Sequence, residues 1–389
     1  MAGTNQAIDS TFISELTILP DITIQELLTR NAPMAWRQSK QEVIFSQPID
    51  WYRKEEPTME APSTLSAVVL PDPKTCLYIA DAFNQALEAG CRSIVHPYHR
   101  NERLPLSLAR TFKLGHELLR QRTTWERRRD WVRNAALDEH WDAGVVEKAN
   151  ITLLQCPWMS LLPGIRESAT NGFGILLSNQ WLTSTALDCM LEVVRLDHQT
   201  STLFDPKVRI AHPTIGQSIA SGHQTPTSTY YGKHLKDGTI EQLLFPMNIG
   251  GCHWIAVKIH VPDYVLLIGD SYPSFSLPYI KRTVDAIKSW LFRWLPETEE
   301  TSGRWSVSLT GLPIGLQKDS TSCGVAAVNV IHRLTSNDAP MWSSENPQRW
   351  RTYYFVRCVE VGLQSPDAVS PIALRILPHA QTKIGRAHV

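Results

Sequence analysis

Gly315-Leu316-Gln317-Lys318-Asp319-Ser320-Thr321-Ser322-Cys323-Gly324 runs directly into Val325-Ala326-Ala327-Val328-Asn329-Val330-Ile331. A polar loop rich in Ser, Thr and Asp meets a Cys-Gly pair, and the small apolar run behind it is long enough for a buried helix. The spacing therefore puts Cys323 at a helix N-terminus. Unpaired backbone N–H groups and the positive end of the helix dipole at such a place favour a thiolate over a thiol, and the thiolate is the nucleophile. A small core Cys opening a core helix fits this stretch equally well. The choice between the two rests on what lies upstream.

Upstream, His253-Trp254-Ile255-Ala256-Val257-Lys258-Ile259-His260-Val261 and Tyr264-Val265-Leu266-Leu267-Ile268-Gly269-Asp270 are β-rich runs joined by Pro262-Asp263, a turn signal. Paired as a hairpin about that turn, Val261 faces Tyr264 and Asp270 lies across from Ile255. His253 and Ile255 share a face, so His253 and Asp270 become diagonal neighbours, roughly 7–8 Å apart at the backbone. A carboxylate holding one imidazole nitrogen leaves the other free to act as a base. Other pairings fail on geometry. His260 lies about 23 Å along the strand from His253 and on the other face. Cys252 points away from the face that His253 uses. His332 is roughly 13 Å down the helix that Cys323 opens, and reads as a packed or surface residue.

Composition bounds the rest. The chain has 389 residues, enough for two domains, and 43% hydrophobic content, enough for a real core. Its 38 basic and 38 acidic residues balance, so no global field recruits nucleic acid or membrane. The seven cysteines (76, 91, 156, 189, 252, 323, 358) are odd in number, irregularly spaced and without Cys-x-x-Cys. That excludes a disulfide framework and a structural zinc site and fits a reducing compartment. The first residues lack the basic and apolar regions of a signal peptide, and no apolar run reaches membrane-spanning length, so a soluble intracellular protein is expected.

In chain order, residues 1–60 lack sustained periodicity and read as a loosely ordered arm. Residues 61–149 read as a helical region of unknown role, with Gly90 as a helix C-cap and amphipathic helix between Leu106 and Ala136. Within it Trp125-Glu126-Arg127-Arg128-Arg129-Asp130-Trp131 interleaves Arg with Trp, either a nucleic-acid contact or, the favoured reading, a solvated face with Trp turned inward. A second unit spans 150–365. Ile151-Thr152-Leu153-Leu154 reads as a short strand, Trp181 stands at the entrance of a helix through Val194, and residues 200–242 read as an irregular excursion. A strand at Leu243–Asn248, a helix from Pro278 to Trp294, a strand at Trp305–Leu309 and a last helix from Asn346 to Val361 complete the unit. Residues 366–389 form a tail, and Ile384-Gly385-Arg386-Ala387-His388-Val389 looks like translated sequencing adapter rather than native sequence.

With Gln180-Trp181-Leu182 opening a helix, His253-Trp254 on a strand, Asp270-Ser271-Tyr272 ending the next, and Gln317 ahead of Ser322-Cys323-Gly324, the chain from about 150 to 365 resembles the ubiquitin-like-protein-specific (SUMO/sentrin-type) cysteine proteases. The four motifs together are specific, and any one alone is weak. The resemblance implies an α+β, papain-like/adenoviral-proteinase-like fold, with a central mixed sheet flanked by helices, behind the mostly helical N-terminal region. It implies Cys323 as nucleophile, His253 as general base then acid, Asp270 as its orienting group and Gln317 as oxyanion donor. Trp181 and Trp254 match the aromatic roof over a narrow tunnel that admits only Gly-Gly. No cofactor or metal is implied. The implied partner is SUMO or another ubiquitin-like protein with its conjugates, met by a monomer in nucleus or cytoplasm. Asp319 and Ser322 depart from the family's usual Asn and Asp, which puts the electrostatics around Cys323 and the modifier preference in question. The competing readings are a modifier-binding or mobile-element module that does not cut, and a nucleic-acid role for residues 104–148.

Overall fold

The computed structural model describes residues 16–19, 21–33, 43–135, 143–162, 164–296, 303–337, 339 and 341–364. The adapter-like end of the tail lies outside the described residues. The chain folds as two units, residues 1–129 and 130–389.

In the first unit, α1 (Ile24–Thr29) opens with a reciprocal cap: the Glu26 N–H donates to the Thr23 hydroxyl, and the Thr23 N–H donates to the Glu26 carboxylate. A 3-10 turn, Pro48–Trp51, buries Trp51 and leads into β1 (Tyr52–Arg53). Where the sequence suggests a loose arm through residue 60, its described part thus carries a capped helix and a core Trp. The Thr23-x-x-Glu26 pattern was the available signal. Next come α2 (Pro73–Asp81), capped by Asp72, and α3 (Phe83–Glu88), which Gly90 ends at φ +75°. Two strands, β2 (Ser93–His96) and β3 (His99–Pro105), join β1 in an antiparallel sheet, so this region is not simply helical. Helix α4 (Leu108–Ala135) buries Leu108, Phe112 and Trp125 on one stripe. Arg128 stacks over the Trp125 ring at 4.2 Å, and burial pulls its guanidinium down to about 10, so it is no solvated cation.

The second unit begins with a correction. Ile151–Leu154 lies in helix α5 (Ala143–Gln155), not in a strand. Val146, Ala149 and Leu153 recur at helical intervals and are buried, and that packing overrides the β preference of Ile151 and Thr152. A small antiparallel pair, β4 (Leu161–Leu162) and β5 (Ile165–Ala169), then a single turn, α6 (Thr170–Phe173), precede α7 (Ser184–Thr200). The supposed irregular excursion contains β6 (Val208–Ile210), α8 (Thr214–Ser221) and α9 (Pro226–Lys236). Its punctuation is local: Gly222 at φ +69° stops α8, and Thr225 caps α9 ahead of Pro226.

Then follow β7 (Gln242–Ile249), β8 (His253–His260), β9 (Val265–Gly269), α10 (Pro273–Trp294), β10 (Ser306–Ser308), α11 (Cys323–Thr335) and α12 (Pro347–Gln364). The sheet runs β10-β9-β8-β7-β6, with parallel outer pairs and antiparallel inner ones. Pro246 is tolerated in β7 because the Ala211 N–H donates to Leu244 O, so the backbone of 246 also faces the β6 side, where β6 has already ended. Leu243, Phe245, Met247, Ile255, Val257, Ile259, Leu266 and Ile268 build a core with Ile215, Leu235, Ile287 and Leu291 from α8, α9 and α10. Leu244, Trp254 and Ala256 lie at the alternate positions, and α11 packs along β8 and against α7. Among the described residues no helix is long and apolar enough to cross a membrane.

Candidate active site

The β8–β9 hairpin has the register read from the sequence: His260 pairs with Val265 and Ala256 with Gly269. Its consequence is an ion-pair contact. His253 Nε2 lies 2.8 Å from Asp270 Oδ1, and both side chains are buried. His253 is placed at the first position of β8 by Gly250 and Gly251, whose φ angles of +62° and +77° turn the chain back from β7. Asp270 is held three ways. Besides His253, the Tyr272 N–H donates to Oδ1 at 2.8 Å, and the Ser276 hydroxyl makes a short bond to Oδ2.

Cys323 is the first residue of α11 and is 4% exposed. Cys323 is among the groups that raise the pKa of the His253 ring. Because Nε2 serves Asp270, Nδ1 is the ring nitrogen left for proton transfer. Burial lowers the His253 pKa, but its hydrogen bond to Asp270 and the influence of Cys323 outweigh it, and the ring is raised to about 9. For Asp270, burial pushes the carboxyl up, yet the bonds from His253, Ser276 and Tyr272 hold it below its ordinary value. Behind Cys323, Gly324 meets the α7 end closely: an added Cβ would sit 3.0 Å from Leu187 Cδ1 and 3.4 Å from Leu182. Gly324→Val is therefore expected to cost about 1–3 kcal/mol of stability by overpacking, read as a lowered Tm.

Gln317 is buried in the loop before Cys323. Its backbone N–H donates to Ser271 O, and Ser271 Oγ donates to Gln317 Oε1 at 2.7 Å. Those bonds fix the amide so that Nε2 gives one hydrogen to Asp319 O at 2.7 Å and keeps a second hydrogen. Asp319, one of the departures from the family pattern, gathers the loop: its carboxylate accepts from the N–H groups of Thr321 and Ser322 and from the Ser322 hydroxyl, each at 2.7 Å.

The two tryptophans divide. Trp254 is buried and its indole N–H donates to Leu182 O at 3.1 Å, tying β8 to the start of α7. Trp181 beside it in sequence to Leu182 is 54% exposed. The residues set aside on geometry lie elsewhere. His260 pairs with Asp263, His332 is buried against Asp197 and Tyr354, and Cys252 gives its thiol to Gly250 O. Ser276 was not singled out from the sequence, and Ser271 entered only as part of the Asp270-Ser271-Tyr272 motif, with no role of its own. Their roles depend on partners 46 and 6 positions away, and no spacing rule points to them.

Residues 180–364 match the model of the Ulp1 protease family, C-terminal catalytic domain. No curated protein matches the chain. Among solved structures, the C-terminal Ulp1 protease domain in complex with Smt3, the yeast ortholog of SUMO, is 13% identical, with 58% of this chain and 97% of that one covered and a TM-score of 0.42. The Chaetomium thermophilum Ulp1-like SUMO protease catalytic domain is 14% identical, with 54% and 78% covered and a TM-score of 0.34. Both identities are low and both TM-scores are below 0.5.

Proposed function

From the match of residues 180–364 to the Ulp1 protease family's C-terminal catalytic domain, we propose that the protein is a cysteine peptidase of that family, cleaving after the Gly-Gly of SUMO or a related ubiquitin-like modifier. The observation that carries the reading is the buried His253–Asp270 pair, with its carboxylate also held by Tyr272 and Ser276, in a domain whose Cys323 opens a buried helix.

In this reading Cys323 Sγ attacks the carbonyl carbon of the terminal Gly, and the proton carried by His253 Nδ1 passes to the departing amine. The products of that step are a thioester on Cys323 and a free amine, and the C–N bond is the one broken. Water then attacks the thioester with His253 taking its proton, which releases the Gly carboxylate and restores the sulfur. Asp270 stabilises the imidazolium at each stage. The spare hydrogen of Gln317 Nε2 and the Cys323 backbone N–H would meet the oxyanion. Exposed Trp181, with anchored Trp254 behind Leu182, supplies flat walls suited to a substrate tail without side chains.

Gln317→Ala is expected to lower kcat by about 10²–10³-fold while leaving KM nearly unchanged, as for any lost oxyanion donor. Steady-state hydrolysis of a fluorogenic modifier amide reads both constants. The same assay tests the function: release of the fluorophore from a SUMO-type Gly-Gly amide supports it, and a folded protein that releases none from any ubiquitin-like amide rejects it in favour of a binding module.

A further inference from the structure

Arg351, in the second turn of α12, is 1% exposed, and it spends its guanidinium on main-chain oxygens of two separate loops. Nη1 donates to Ser178 O at 2.7 Å, while Nη2 donates to Gln180 O at 2.9 Å and Thr321 O at 2.7 Å. Gln180 immediately precedes Trp181. Thr321 stands two residues ahead of Cys323. One planar fork thus joins the segment carrying the exposed Trp to the loop carrying the nucleophile. These contacts are independent of the Cys323–His253–Asp270 set and of Gln317.

We propose that Arg351 is a positioning residue, whose guanidinium fixes the Trp181 segment against the Cys323 loop and keeps a positive charge beside the sulfur. The inference deepens the cysteine-peptidase reading and rests on it. Its physical logic has two separable parts. Geometry needs the fork, because three carbonyls on two loops match the rigid, divergent N–H groups of guanidinium and not a single ammonium. Charge needs only a cation: Nη2 sits on Thr321 O, two residues ahead of Cys323, which places the guanidinium at the nucleophile's own loop.

The test uses the full chain with Arg351→Met and Arg351→Lys. Iodoacetamide alkylation of Cys323 is followed against pH by mass spectrometry, and kcat and KM are measured on a fluorogenic modifier amide. In Arg351→Met the midpoint of the alkylation profile should move up by about one pH unit, and kcat/KM should fall on the order of 10²-fold through loss of alignment. In Arg351→Lys the alkylation midpoint should return towards wild type, with kcat/KM still depressed. A general loss of stability would not separate the two readouts in this way. A folded Arg351→Met with wild-type midpoint and wild-type kcat/KM overturns the proposal. If Arg351→Met fails to fold, Arg351→Lys decides alone: wild-type kcat/KM in that variant overturns it. A wild-type protein whose Cys323 reacts no faster than Cys252 overturns the peptidase reading together with this one, which keeps the two failures distinguishable.

Discussion

Cys323→Ser is expected to abolish turnover, lowering kcat on the order of 10⁶-fold, the scale seen when the nucleophile of a coupled set is removed. The serine hydroxyl is smaller than the thiol it replaces at the first turn of α11, so the fold should persist. An alcohol oxygen is far harder to ionise than a sulfur, and a His–Asp pair tuned for a thiol does not make it a comparable nucleophile. The substitution changes one buried atom, so on the proposed function the binding of a modifier should survive it. The variant should therefore hold a conjugate without cutting it, and the complex should be visible by gel filtration. A hydrolysis rate in Cys323→Ser within tenfold of wild type, about 1.4 kcal/mol in barrier, would show that another residue carries the chemistry.

Asp270→Asn should lower kcat on the order of 10³–10⁴-fold by removing the charge that supports the imidazolium. The substitution is clean on local geometry. Oδ1 can stay with His253 Nε2 and the Tyr272 N–H, and the new Nδ2 meets Ser276 Oγ, which turns from donor to acceptor. What changes is electrostatic. The His253 pKa of about 9 lies above its ordinary 6.5 because Asp270 and Cys323 outweigh burial. Wild-type kcat/KM should accordingly hold through neutral pH and fall as pH rises through about 9, with the falling limb moved to lower pH in Asp270→Asn. Stability follows the same sign. A raised His pKa means that its stabilisation is complete below 6.5 and is lost as pH climbs towards about 9. The lowered Asp270 contributes above 3.8 and is lost as pH falls below it. In thermal melts across that range the gap between wild type and Asp270→Asn should narrow as pH rises through about 9 and stay open by what Tyr272 and Ser276 give the carboxylate.

The hairpin shows what the sequence carries well. Period-two alternation and Pro262-Asp263 determined the register of β8 and β9, and the register brought His253 to Asp270. Helix α11 was equally legible, since Val325 to Ile331 is apolar except for Asn329 and every one of these residues is buried. Short elements were not. Val208–Ile210 forms a strand because β7 already offers an edge, and Ile151–Leu154 is helical because of what Leu153 packs into, facts that no local window holds. Ser271, Ser276 and Arg351 belong to the same class. Each matters through one long-range acceptor or donor, and a Ser or Arg in a sequence does not announce its partner.

Mapping the site of covalent capture tests the central claim most directly. After incubation of the intact chain with a SUMO vinyl sulfone, and with its ubiquitin and other modifier counterparts, proteolysis and mass spectrometry locate the adduct. The account predicts a single adduct on the sulfur of Cys323, absent in Cys323→Ser and much slower in His253→Ala. An adduct on Cys252 or another cysteine, or a folded protein that binds a modifier and is captured by none of the probes, would contradict it.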